Sequence, residues 1–247
     1  MKEYFWFEKK DDDFPFYRNL PYSVAGWQWL VMLLFPFLGF LSLTVVYIPS
    51  LSIYENELFS GIVLVLSGFL GLFLAVGKDW KKLFRRIYPK EILLVIGYVL
   101  GAILFASLLG GIIELLSGTL ADNPAATNSE GKAALMEYLL LRFQEIFQLF
   151  GEEFLAIIPF LAVLHLMVAR WQLRRKTAVI IAWIVSSVVF GLLHLPTYDW
   201  NIIQCVFLIG GSRMVLTLPY IQTKNIWISY FVHYLYDMLI FTAAFLS

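Results

Sequence analysis

Glu152 and Glu153, His194, and the pair His233 and Asp237 lie inside or at the edge of long apolar segments. Carboxylates and imidazoles are the groups that activate water and stabilise an oxyanion in hydrolysis. In hydrocarbon they are also expensive. An Asp, Lys or Arg at the centre of a spanning helix costs roughly 2.5–3.5 kcal/mol on insertion scales, so an intramembrane ionisable group is a functional hypothesis by default. Three elements follow one another here: Glu-Glu, then Phe190-x-x-x-His194, then His233-x-x-x-Asp237. In that order they point to peptide hydrolysis within a membrane.

Helical spacing decides which of these groups can work together. His233 and Asp237 are i,i+4 and share a face, as do Phe190 and His194. Glu152 and Glu153 stand about 100° apart, so one is expected to line a cavity and the other to take a neighbouring partner. Glu152 with His194 can hold and deprotonate a water, while His233 and Asp237 orient the oxyanion. Glu152, His194 and His233 are also a two-His-one-Glu set of the kind that holds catalytic zinc. They come from three separate segments without an H-E-x-x-H pair, so metal and metal-free chemistry both stay open. Taken alone, Glu-Glu fits a proton or ion relay equally well. His165 lies about 20 Å along the helix from Glu152 and on the opposite side, and is expected only to pack.

These groups need an apolar scaffold, and composition supplies one. The 247 residues are 60% hydrophobic and 15% charged, with a mean hydropathy of +0.77. That is the composition of a multi-pass membrane protein, whose first partner is the lipid bilayer. The net charge of zero gives no nucleic-acid footprint, and the single Cys205 excludes an intrachain disulfide. About 20 apolar residues cross the hydrocarbon core as a helix. Seven stretches qualify: 27–48, 58–77, 91–116, a long one ending near Ala169, 177–195, 200–219 and 226–245. The fourth is expected to be one helix from about Ala133, amphipathic at its start; a split at Gly151 would give eight spans.

Loop charge chooses seven, since Arg and Lys favour cytoplasmic loops. Lys78 to Lys90, Arg170 to Lys176, and Lys224 then fall on one side, and the acidic connections on the other. The expectation is an all-α bundle in the cell membrane with a cytoplasmic N-terminus. Residues 1–26 form a short juxtamembrane leader rather than a cleaved signal. Residues 27–132 form a three-span half, and 133–247 the half that holds the chemistry. The polar stretch Ser117–Lys132 is expected to be an external loop.

The motifs resemble the CPBP intramembrane proteases, a family comprising type II CAAX prenyl endopeptidases and bacteriocin-processing or self-immunity proteins. The family pattern is EExxxR, FxxxH and HxxxN or HxxxD. The chain carries Gly151-Glu152-Glu153, Phe190-Gly-Leu-Leu-His194 and His233-Tyr-Leu-Tyr-Asp237, with Thr223-Lys224-Asn225-Ile226-Trp227 leading into the last. The resemblance runs from about Phe147 to the C-terminus. It implies that Glu152 and His194 activate the water, Glu153 supports, and His233 and Asp237 form the oxyanion side. The implied substrate is a peptide or membrane-anchored segment, such as a leader peptide, pheromone precursor or bacteriocin. Family members are often labelled metalloproteases, although a glutamate-bound water fits these residues without a metal.

One position departs from the pattern: Ile157 stands where the motif has Arg. That favours the rival reading, a non-enzymatic immunity or regulatory protein that binds its partner in the bilayer. A proton-coupled transporter is disfavoured, because no inverted repeat is present. Arg213, after Gly210-Gly211-Ser212, leaves two readings open. It snorkels to the inner headgroups, or it supplies the missing cation by pairing with Asp237 or Glu153.

Overall fold

A computed structural model describes residues 3–10, 12–19, 23–118, 120–123 and 131–246, apart from the side chains of 117 and 131–134. Among these residues every regular element is a helix and none is a strand, and seven helices are long and apolar enough to cross a membrane. They are α1 (Gly26–Val45), α2 (Ile53–Val76), α3 (Lys90–Ser117), α4 (Gly131–His165), α5 (Arg175–Leu193), α6 (Gly210–Thr223) and α7 (Ile226–Leu246). A 3-10 segment, Gly77–Leu83, extends α2, and π turns at Leu166–Arg170 and Gln204–Ile209 end α4 and begin α6.

The long fourth span is one helix of 35 residues that runs through both Gly151 and Pro159. Proline removes one backbone bond, a loss that neighbouring helices offset in membrane bundles. α4 is the most buried span and packs on α1, α2, α5 and α7. Gly151 is a packing notch rather than a break. Leu64 of α2 fills it, and a Cβ added there would strike that side chain. In return Phe154 of α4 fills the space at Gly68, and at Gly61 a Cβ would lie 3.2 Å from the Gln148 amide. Small residues let helices approach closely where no hydrophobic force drives them together. This interlocking sets the register of the segment that bears the two glutamates.

The sixth span begins four residues later than the hydropathy suggests, at Gln204 rather than Trp200. Asp199 and Trp200 hold φ of 49° and 60°, and the Asn201 side chain accepts the Gln204 amide at 3.0 Å. A left-handed turn and an Asn cap start the helix there. Of the polar stretch Ser117–Lys132, residues 119 and 124–130 lie outside the described residues. Its described part docks on the bundle through Ala121, which exchanges two hydrogen bonds with the Gln204 side chain at 2.9 and 2.8 Å.

The leader folds into the protein. Phe14, Phe16 and Tyr17 are buried, and Phe14 meets Phe160 of α4 and Tyr220 of α6 at ring distances of 5.2 and 5.8 Å. Glu8 accepts both Arg175 terminal nitrogens, at 2.9 and 2.7 Å, and pairs with Lys224 at 2.9 Å. Burial alone would raise the Glu8 carboxyl, but bonds from Arg175, Lys224 and the Phe5 amide hold it below its ordinary value. Lys224 is thus a buried clasp rather than a solvated loop residue, and it takes a left-handed φ of 52° to turn α6 into α7. That conformation costs an ordinary residue roughly 1–2 kcal/mol, which the ion pair offsets.

Candidate active site

Four helices converge on the predicted residues. Near the middle of α4, Glu153 is fully buried and points at α6 and α7. The Arg213 terminal nitrogens donate to its two oxygens at 2.7 and 2.9 Å, a bidentate pair. The remaining Arg213 donors reach Thr217 Oγ1 at 3.3 Å and Ser229 Oγ at 3.5 Å. Arg213 is therefore the cation that Ile157 leaves missing; the snorkelling reading is overturned, because its side chain is wholly buried and faces Glu153. Ile157 itself is buried in the apolar core.

His233, on α7, sets its Nδ1 3.0 Å from Glu153 Oε1 and 3.2 Å from Arg213 Nη1. Its other nitrogen, Nε2, stands 3.5 Å from Asp237 Oδ2 and 4.0 Å from Glu152 Oε2. Glu153 and Arg213 thus grip one side of the ring and turn the other toward Glu152 and Asp237. Of the two adjacent glutamates, Glu153 is the one that takes partners from neighbouring helices. One Glu152 oxygen accepts Gln148 Nε2 of its own helix at 2.9 Å.

His194 closes α5, where its Nδ1 lies 2.9 Å from the Phe190 carbonyl. A carbonyl only accepts, so Nδ1 carries a proton and Nε2 of the neutral ring is left as an acceptor. His194 joins the cluster through Phe190. That ring lies 4.7 Å from His194 and 6.2 Å from His233, with the Arg213 guanidinium 5.0 Å above it. Gly191 makes this crossing possible, since a Cβ there would strike the Cys205 carbonyl and meet the Gly210 amide at 3.0 Å. The structure therefore gathers Glu152, Glu153, His233, Asp237 and Arg213 directly, and His194 one ring further out.

Two residues that the sequence reading did not single out belong here. Gln148, one helical turn before Glu152, was discoverable from i,i+4 spacing. Tyr198 stands at i+4 from His194, and its amide donates to the His194 carbonyl at 3.2 Å in the turn that follows α5. It is buried, faces His194 at a ring distance of 6.5 Å, and accepts Asn123 Nδ2 at 2.9 Å. Burial, then the Asp237 charge, pushes its phenol above the ordinary value. His165 is far from the cluster, stacked at 5.1 Å on Trp29 with Nδ1 3.2 Å from the Tyr17 carbonyl.

Residues 133–239 match the family described as type II CAAX prenyl endopeptidase Rce1-like. That is the protease family the motifs resemble, and Glu152, Glu153, His194, His233 and Asp237 all lie within the match, as does Arg213. Helices α1 to α3 lie outside it. Comparison with curated proteins and with solved structures gives no match. The zinc set fares poorly on geometry: among the described residues no three His, Cys, Asp or Glu side chains converge as metal ligands. The guanidinium beside His233 further opposes a second cation there.

Proposed function

We propose that the chain is an intramembrane endopeptidase that uses a water activated by Glu152. The observation that carries this reading is the clasp on His233. Glu153 and Arg213 hold its Nδ1 side, so that Nε2 faces Glu152 Oε2 across 4.0 Å. Such a gap is one that a single water can bridge. Gln148 occupies the first oxygen of Glu152 and leaves the second for the water proton.

In this scheme the water oxygen attacks the scissile carbonyl carbon while Glu152 takes its proton, with His194 Nε2 as the second acceptor. Negative charge gathers on the carbonyl oxygen, where His233 presents an Nε2–H. The ring offers that donor as the imidazolium balanced by Glu153, or as the neutral tautomer whose Nδ1 accepts from Arg213. Asp237, 3.5 Å from Nε2, orients the ring. Collapse of the intermediate breaks the carbon–nitrogen bond, and Glu152 returns its proton to the leaving amine. The substrate is a peptide or a membrane-anchored segment. The rival binding-protein reading rested on the cation missing at Ile157, and the Arg213 pair supplies that charge.

The test uses purified protein in proteoliposomes containing a fluorogenic membrane-anchored peptide. Glu152→Gln, His194→Ala and His233→Ala are expected to keep the helical circular dichroism of the parent and lose cleavage, while His165→Ala cleaves normally. Parental cleavage by Glu152→Gln would overturn the assignment.

A further inference from the structure

The end of the bundle that carries the α6–α7 turn holds a cavity of about 390 Å³. That lies within the roughly 300–1,000 Å³ range of small-molecule sites. Its two acidic lining residues are already committed. Asp12 is ion-paired with Arg85, and Glu91 with Lys9; the second Glu91 oxygen accepts the Tyr88 amide at 2.8 Å. Arg85 is also committed, donating to the Lys224 and Asp13 carbonyls at 2.8 and 2.9 Å.

Two cations remain. Arg86 and Lys90 line the same cavity, are exposed, and meet no carboxylate among the described residues. They flank one aromatic ring, 5.8 and 5.9 Å from the centroid of Tyr88. Lys90 also begins α3, a helix of 28 residues whose backbone dipole is positive at that end. The adjoining cavity of about 720 Å³ contrasts with this one. Three aspartates line it, and its Lys82 is paired with Asp79 at 3.1 Å. By its lining side chains the larger cavity carries one net positive charge and the smaller one two.

Its level in the fold narrows the ligand. The second span ends at Leu83, the third begins at Lys90 and the sixth ends at Thr223, so the cavity opens where spanning helices meet the headgroup layer. Aromatic rings of the Tyr88 kind mark that layer, and basic pockets between helix ends take up anionic headgroups. We infer that Arg86 and Lys90, over the Tyr88 ring, form a binding site for a phosphate group, that of an anionic phospholipid. Free phosphate shares the recognising chemistry. Thr223 and Asn225, which also line the cavity, lie at the end of α6 and in the turn joining the helix of Arg213 to that of His233. An occupied site would brace the connection between the two helices that hold the clasp.

This inference is independent of catalysis, and so is its test. The full chain, purified in detergent, is titrated with short-chain phosphatidylglycerol, short-chain phosphatidylcholine or inorganic phosphate while thermal unfolding is followed. Phosphatidylglycerol should raise the midpoint by roughly 3–6 °C at about ten times its dissociation constant, and phosphatidylcholine should not. Arg86→Gln with Lys90→Gln should abolish the rise without lowering the midpoint of the lipid-free protein, since neither side chain holds an ion pair among the described residues. Lys78→Gln with Lys81→Gln, in the neighbouring cavity, should retain it. A rise with phosphate alone assigns the site to the free anion; a rise confined to phosphatidylglycerol assigns it to the lipid. Equal responses to the two lipids, or a parental response from the Arg86/Lys90 variant, would overturn the inference.

Discussion

Replacing Arg213 by Ala should be the most damaging single change outside the predicted catalytic residues. The side chains of Arg213 and Glu153 are both fully buried and joined by two hydrogen bonds of 2.7 and 2.9 Å. Removing one partner of such a pair leaves an uncompensated buried charge, at a cost of about 3–5 kcal/mol. At roughly 2–4 °C per kcal/mol for a chain of this size, the thermal midpoint should fall by about 6–20 °C. Arg213→Met combined with Glu153→Gln removes both charges at similar volume. Stability should then recover in large part, yet cleavage should not, because His233 has lost the groups that grip its Nδ1. Thermal unfolding in detergent, run beside the peptide assay, separates the two effects. An Arg213→Ala protein that unfolds within about 2 °C of the parent would refute the reasoning.

Ile157→Arg introduced into Arg213→Ala should restore part of the stability and activity, because residues 153 and 157 share a face of α4; no gain in either would show that position 157 cannot reach Glu153. Gly68→Val should destabilise by about 1–3 kcal/mol through overpacking against the Phe154 ring, measurable as a lower denaturation midpoint, and Phe154→Leu should relieve it. The Glu8 clasp should show in acid. With its folded carboxyl held below 4.5, Glu8 contributes stability that is present above that value and lost as pH falls through the lower folded one. Thermal midpoints between pH 7 and 3 should therefore fall less steeply for Glu8→Gln than for the parent; identical slopes would count against the clasp.

Much of the fold was legible because its physics is local to the chain. Apolar runs long enough to cross a bilayer mark all seven spans, and basic loops select seven over eight. The separation of Glu152 from Glu153 followed from helical geometry alone. Other features depend on where distant segments meet. Nothing in the Lys9–Asp13 text shows that Glu8 will enclose Arg175 and Lys224, because such a pair exists only once the helix ends have assembled. Helix depth was the other difficulty. Counted from Arg170, Glu153 lies roughly 26 Å along the fourth span, against roughly 10 Å for His233 from the start of α7. No break in α4 reconciles them. It runs on to His165, which packs on the folded leader at Tyr17 and on Trp29. Tyr198 follows His194 by four residues but lies beyond the end of α5, where helical spacing no longer predicts which side chains meet.

A water activated by Glu152 would leave its oxygen in the product of peptide cleavage. Proteoliposomes of the chain are incubated with a pooled library of membrane-anchored peptides in oxygen-18 water, and the products are read by mass spectrometry. The parent protein should yield new C-termini, each carrying one oxygen-18 atom, and Glu152→Gln should yield none. Labelled products of equal abundance from both proteins, or none from the parent across the library, would contradict the account.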